Sequence, residues 1–309
     1  MKVLICDKTE ASALEAMRAA GIEVDNRPTI TPEELVRDAA QYDGMVVRSR
    51  TKVTKEVIDA APNLKIIVRG GVGLDNIDVR YAESKGIVVR NTPKASSDSV
   101  AELTIGYLLA LARKIPQASA SMAAGEWKKK ELEGTEIAGK MLGLIGLGNI
   151  GQAVARRAAA LGMKVIFYRR TPTEVPFARQ VSLDELLRES DYISLHVPKT
   201  AETTNLLNAE AFAKMKQGVY IVNCGRGGTL DEDALYDALV SGRVAGAALD
   251  VYADEKVNPG NARLFSLKDK NGFNLVIGSP HIGASTVEGQ GRVGAEVAEI
   301  LIDFYRQHL

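Results

Sequence analysis

Only three histidines occur in this 309-residue chain, so each can be weighed by its neighbours. His308 stands at the end of the chain, where a surface role is expected. His196 closes an apolar run in His196-Val197-Pro198, where it would line a cofactor crevice. His281 follows another apolar run, in Ser279-Pro280-His281-Ile282-Gly283-Ala284. Imidazole is the side chain best suited to exchange a proton near neutral pH. Asn223-Cys224-Gly225-Arg226-Gly227-Gly228 puts an arginine in a flexible loop, where its planar fork could hold a carboxylate at two points. Glu255, in Asp254-Glu255-Lys256, reads as part of a solvated charge run; the alternative is an orienting partner for His281. No metal site is expected.

A second group of residues suits a dinucleotide. Gly146-Leu147-Gly148-Asn149-Ile150-Gly151 follows the apolar run Met141–Ile145 and opens an alanine-rich helical pattern ending at Gly162. In that strand–turn–helix setting the first glycine permits the tight turn. The second lets a pyrophosphate approach the backbone, and the third lets helix and strand pack closely. Free N–H groups at the helix start then meet the phosphate charge. A carboxylate at the end of the next strand would accept from the ribose 2′-hydroxyl, but this chain reads Tyr168-Arg169-Arg170 there. Guanidinium groups at that place favour a 2′-phosphate, hence NADP(H), with NAD(H) as the alternative. Two solvated loop arginines are the reading without a ligand.

The elements that must position these groups alternate almost from end to end. Lys2–Cys6, Ile22–Asp25, Gly44–Val47, Leu64–Val68 and Ile87–Val89 read as buried parallel strands. Thr31-Pro32-Glu33-Glu34 offers a capping box, and Gly21 and Gly86 fall where helices should end. A long helix pattern, about Ser99 to Ile115, is closed by Pro116. Six more strands follow: Met141–Ile145, Lys164–Tyr168, Tyr192–Leu195, Val219–Val222, Val244–Leu249 and Leu275–Ile277. The class is α/β in two domains: a Rossmann-type doubly wound parallel sheet over 96–285 and a smaller flavodoxin-like substrate domain over 1–95. A last helix within 286–309 is expected to pack back on the smaller domain. Ligands in open α/β sheets bind outside the carboxyl ends of the strands. The Gly146 turn, Arg169, His196, Arg226, Asp250 and His281 all follow such ends.

Composition narrows the function. Lys plus Arg and Asp plus Glu are 39 each, so no basic footprint for nucleic acid exists. The longest uncharged apolar run, Leu103 to Ala112, falls short of the roughly 18 residues of a membrane span. Two cysteines make no disulfide framework, and the amino terminus lacks a signal-peptide core, so a soluble, cytoplasmic protein is expected. The polar stretch Ala123 to Gly134, with Trp127 and Lys128-Lys129-Lys130, reads as a solvated loop.

Over essentially its whole length the chain resembles the D-isomer-specific 2-hydroxyacid dehydrogenases. The resemblance rests on Val47-Arg48-Ser49-Arg50-Thr51-Lys52-Val53-Thr54, Asp75-Asn76-Ile77-Asp78, Ala112 through Gly151, the Asn223–Gly228 loop, Ala248-Leu249-Asp250-Val251-Tyr252 and Pro280-His281-Ile282-Gly283-Ala284-Ser285-Thr286. It implies an NAD(P)-dependent dehydrogenase oxidising D-3-phosphoglycerate at C2, a step of serine biosynthesis. Glyoxylate or hydroxypyruvate reduction is the alternative. A nucleotide-sensing scaffold without turnover is the alternative of another class. By position the resemblance makes His281 the acid/base, Glu255 the carboxylate that orients it, and Arg226 the group that holds the substrate carboxylate. It puts Val72, Asn149, Ile150, His196, Val197, Pro198, Cys224, Gly225, Asp250 and Ala284 around the cofactor, beside Gly146, Gly148, Gly151, Arg169 and Arg170. Arg48, Ser49, Arg69, Gly71 and Val72 would meet a small-molecule 2-hydroxy or 2-oxo acid. The family dimerises through the region after the long helix, so a homodimer is expected, with Lys128 to Lys130 reaching a neighbour's site. The chain ends after its last helix, so serine feedback through a regulatory domain is not expected.

Overall fold

The computed structural model describes residues 1–254 and 259–308. They form two compact units, Met1–Ser97 with Ala284–Leu309, and Asp98–Gly283. In the first unit the order is β1 (Lys2–Ile5), α1 (Ala11–Ala19), β2 (Glu23–Asn26), α2 (Pro32–Asp38), β3 (Gly44–Val47), α3 (Lys55–Asp59), β4 (Ile66–Arg69), α4 (Val79–Ser84) and β5 (Val88–Asn91). The strands pair in parallel in the order β2-β1-β3-β4-β5, the flavodoxin-like arrangement. Thr31 closes the capping box: its Oγ1 accepts from Glu34 N–H at 3.2 Å, and Glu34 accepts from Thr31 N–H at 3.0 Å. Gly21 and Gly86 take φ of +89° and +79° just past α1 and α4, where a side chain would be strained.

The second unit runs α5 (Ser97–Arg113), α6 (Ile115–Ala123), β6 (Met141–Ile145), α7 (Asn149–Ala160), β7 (Lys164–Tyr168), β8 (Arg179–Gln180), α8 (Leu183–Glu189), β9 (Tyr192–Leu195), α9 (Ala209–Lys214), β10 (Val219–Asn223), α10 (Glu232–Val240), β11 (Val244–Leu249), α11 (Pro259–Ser266) and β12 (Val276–Gly278). Its parallel sheet has the order β12-β11-β10-β9-β6-β7-β8, the Rossmann order with a seventh strand added. Alternate residues feed two cores. Leu142, Leu144, Val165 and Phe167 enter one, while Ile145, Ile166, Ile193 and Leu195 enter the other.

Pro116 does not close the long helix; it opens α6, because the missing N–H of a first-turn proline has no helical partner to lose. The break falls at Lys114, held at φ +51°. The two-residue β8 is too short to show any period in the sequence.

The last helix, α12 (Val287–Gln307), belongs to the first unit. Thr286 caps it, accepting from Gly289 N–H at 2.9 Å. Its buried Val293, Val297, Leu301 and Phe304 share a core with Val3, Ile5, Met17 and Val68. The long helix thus covers one face of the five-stranded sheet.

Candidate active site

All strand pairings of the second unit are parallel, so the loops after β6, β7, β9, β10, β11 and β12 leave the same edge of the sheet. After β6 comes the glycine turn. Gly146 sits at φ +100°, and a Cβ there would lie 2.5 Å from the His196 carbonyl oxygen. A Cβ on Gly151 would lie 2.5 Å from the Gly146 carbonyl oxygen. A Cβ on Gly148 would meet nothing within 4 Å. Gly148 is also the N-cap of α7 and brings no capping side chain. Tight packing at the first and third glycines, open space at the second, and a twelve-residue helix pointing its N-terminus there suit a pyrophosphate. Asn149 and Ile150 begin that helix.

Arg169 and Arg170 follow β7. The Gln180 side chain donates to the Arg169 carbonyl at 2.8 Å and accepts from Thr173 N–H at 2.7 Å, tying the loop to β8. Arg170 is exposed and stands 3.6 Å from Glu202. After β9, His196 turns its ring inward: Nε2 lies 2.9 Å from Ser194 Oγ, and Nδ1 has no hydrogen-bond partner among the described residues. Burial pulls its pKa down to about 4, so the ring is neutral at pH 7. Val197 flanks the Gly146 turn, and the Pro198 carbonyl accepts from Thr203.

The Asn223–Gly228 loop is held from within. Asn223 accepts from Gly225 N–H at 3.0 Å, and Thr229 donates to the Arg226 carbonyl at 2.7 Å. A Cβ on Gly227 would meet the Tyr252 carbonyl, so only glycine fits. Arg226 is half-buried, with Nη1 on the Gly225 carbonyl at 2.8 Å. Cys224 is buried and its thiol is pushed up to about 12, which leaves it unreactive.

Asp250 is buried at the end of β11, and its carboxylate takes three donors. They are Ser279 Oγ–H, Ile282 N–H at 2.8 Å and Gly283 N–H at 2.8 Å. Between these anchors His281 is exposed and adopts φ +55°, which is unusual for a side chain of its size. Glu255 lies outside the described residues. The sequence reading missed Tyr107, whose hydroxyl bonds Ser279 Oγ, and Tyr252, which donates to the Ser279 carbonyl at 3.0 Å. The available signal was the spacing Val100, Thr104, Tyr107, one face of α5.

In the first unit the loops after β3 and β4 carry the other candidates. Arg48 bonds the Gln290 side chain of α12, while Ser49 is exposed. The Arg69 guanidinium lies against Gly71, whose φ of +136° and crowded surroundings admit no side chain. Gly71 N–H donates to Thr92 at 2.7 Å, and Asn91 donates to the Val72 carbonyl at 2.5 Å. The Ala284 carbonyl accepts from Gln290 at 2.6 Å.

Residues 105–283 match the D-isomer specific 2-hydroxyacid dehydrogenase, NAD binding domain. The chain belongs to this family. It is similar to a hydroxypyruvate reductase of Thermotoga maritima, 53% identical over 86% of each chain. A D-3-phosphoglycerate dehydrogenase of Archaeoglobus fulgidus is 46% identical over 98% of this chain and 57% of its own length. The chain therefore spans little more than half of that relative. Among solved structures, a D-lactate dehydrogenase from Aquifex aeolicus, in complex with NAD and lactic acid, superposes with a TM-score of 0.88 at 31% identity. That match covers 99% of this chain and 96% of the other. This D-2-hydroxyacid dehydrogenase is thus a family oxidoreductase built for a nicotinamide dinucleotide, and the glycine turn has the shape that cofactor requires. Among the described residues no helix is long and apolar enough to cross a membrane, and no cluster could hold a metal ion.

Proposed function

We propose that the chain interconverts D-3-phosphoglycerate and 3-phosphohydroxypyruvate, with NADP(H) preferred over NAD(H). The observation that carries the chemistry is the placing of Arg226 and His281 on loops at the edge that holds the phosphate turn. Bound nicotinamide would supply the chemistry of accepting or returning hydride at C2. In oxidation, His281 takes the C2 hydroxyl proton onto its imidazole; in reduction it returns that proton to the carbonyl oxygen. Arg226 holds the substrate carboxylate and stabilises charge on the reacting oxygen. Glu255 orients His281. Arg48, Ser49, Arg69, Gly71 and Val72 are the proposed substrate contacts of the first unit. Asp250, Cys224, Gly225, His196, Val197, Pro198 and Ala284 border the cofactor. Arg169 and Arg170 support the 2′-phosphate preference, since neither position carries the carboxylate that would repel it.

The name shared by the Archaeoglobus relative supports the phosphorylated substrate. The Thermotoga relative, with 53% identity, favours a second reading: reduction of hydroxypyruvate. Initial rates with D-3-phosphoglycerate and D-glycerate, each with NADP and NAD, separate the two. The first reading expects at least tenfold higher kcat/KM for the phosphorylated acid; faster turnover of D-glycerate supports the second. Cofactor binding without turnover of either acid supports the scaffold. We also propose a homodimer, supported by exposed Ile115, Met122 and Trp127 on α6 and the loop after it, and a cytoplasmic location, for which the sequence composition is the support.

A further inference from the structure

Residue His281 holds a left-handed backbone conformation that its neighbours must enforce. Asp250 grips the loop on both sides of it, through Ser279 Oγ before and the Ile282 and Gly283 N–H groups after. Ser279 has one hydroxyl hydrogen, and it goes to Asp250. The hydrogen bond between Tyr107 and Ser279 Oγ must therefore be donated by Tyr107. The order is Tyr107 O–H to Ser279 O–H to Asp250, a chain in which each bond polarises the next. Tyr107 is buried on α5, on the same face as Val100, whose side chain lies 3.4 Å from where a Gly283 Cβ would stand. Burial raises the Tyr107 pKa, which keeps the phenol protonated and able to donate.

We propose that Tyr107 is a positioning residue that acts through Ser279 and Asp250 to hold the His281 loop in its working conformation. The inference rests on the acid–base role proposed above for His281. The α5 helix then serves as a platform under the loop, and the hydroxyl of Tyr107 contributes to turnover without touching substrate.

Steady-state kinetics with the full chain and D-3-phosphoglycerate, D-glycerate or hydroxypyruvate, whichever turns over fastest, test this. Tyr107→Phe keeps the ring and removes the donor; it should lower kcat roughly tenfold with KM for acid and cofactor unchanged. Ser279→Ala should do the same, and the double variant should be no slower than Ser279→Ala alone, because the relay is already cut. In a His281→Ala background, Tyr107→Phe should leave the residual rate unchanged. Ser279→Thr, which retains the hydroxyl, should restore most of the rate. Wild-type kcat in Tyr107→Phe while His281→Ala is inactive overturns this inference alone. Additive losses in the double variant also overturn it, as does a KM change without a kcat change. Undiminished turnover in His281→Ala overturns the acid–base reading and this inference with it.

Discussion

At the scale of single residues, environment separates groups of the same type. His196 and His281 both follow strands, yet His196 is turned inward against Ser194 while His281 is exposed on its loop. Because the folded pKa of His196 lies near 4 and the ordinary value is 6.5, the unfolded chain binds the extra proton between those pH values. Its contribution to stability is complete above pH 6.5 and is lost as pH falls toward 4, by about 3 kcal/mol in total. Replacing it with glutamine should flatten the fall of the urea midpoint over that window; an unchanged slope would exclude His196 as the source. Arg169 carries the cofactor prediction. Arg169→Asp should shift the NADP to NAD ratio of kcat/KM at least tenfold toward NAD, from loss of one charged contact and a new repulsion. An unmoved ratio would return Arg169 to the solvent. These side chains were readable because each follows an apolar run directly. Tyr107 was not: it bonds a partner 172 residues away, and its type alone suits a core helix.

At the scale of elements, the glycine turn makes two contrasting predictions. Gly148→Ala adds a methyl group to open space, so stability should hold while dinucleotide affinity falls more than tenfold. Gly151→Ala presses a Cβ against backbone 2.5 Å away, so stability should fall by about 1–3 kcal/mol along with affinity. Thermal melts and cofactor titrations of both variants check this; equal effects would mean that the second glycine faces no ligand. Strands were the clearest elements in the sequence, since buried parallel strands read as apolar runs, and β6, β7, β9 and β11 begin and end where the pattern places them. Helix ends depended on local chemistry. The Thr31 box is explicit, whereas Pro116 can stop one helix or start another. Only the left-handed Lys114 decides between those outcomes, and no residue type announces it.

At the scale of the whole molecule, two units each carry an all-parallel sheet, with α12 returning to the first. The sequence pointed to that return because one long helical pattern follows the last strand directly and is too short to form a domain of its own. Assembly was not legible from composition. Trp127, 79% exposed, and Met122, 59% exposed, leave an apolar surface on α6 and its following loop. Light scattering should give twice the chain mass, and Met122→Lys with Trp127→Glu should give the monomer; a wild-type monomer would remove the proposed assembly. Lys128 pairs with Glu126 at 2.6 Å and lies over the Phe273 ring. Lys129 and Lys130 are exposed. In the proposed function, the edge holding the glycine turn is an acid–base site worked by His281. Its most direct test is His281→Ala with cofactor binding and single-turnover hydride transfer measured on the same sample. Unchanged cofactor affinity and a transfer rate lowered about 100-fold or more are expected. Transfer at the wild-type rate with cofactor bound would contradict it.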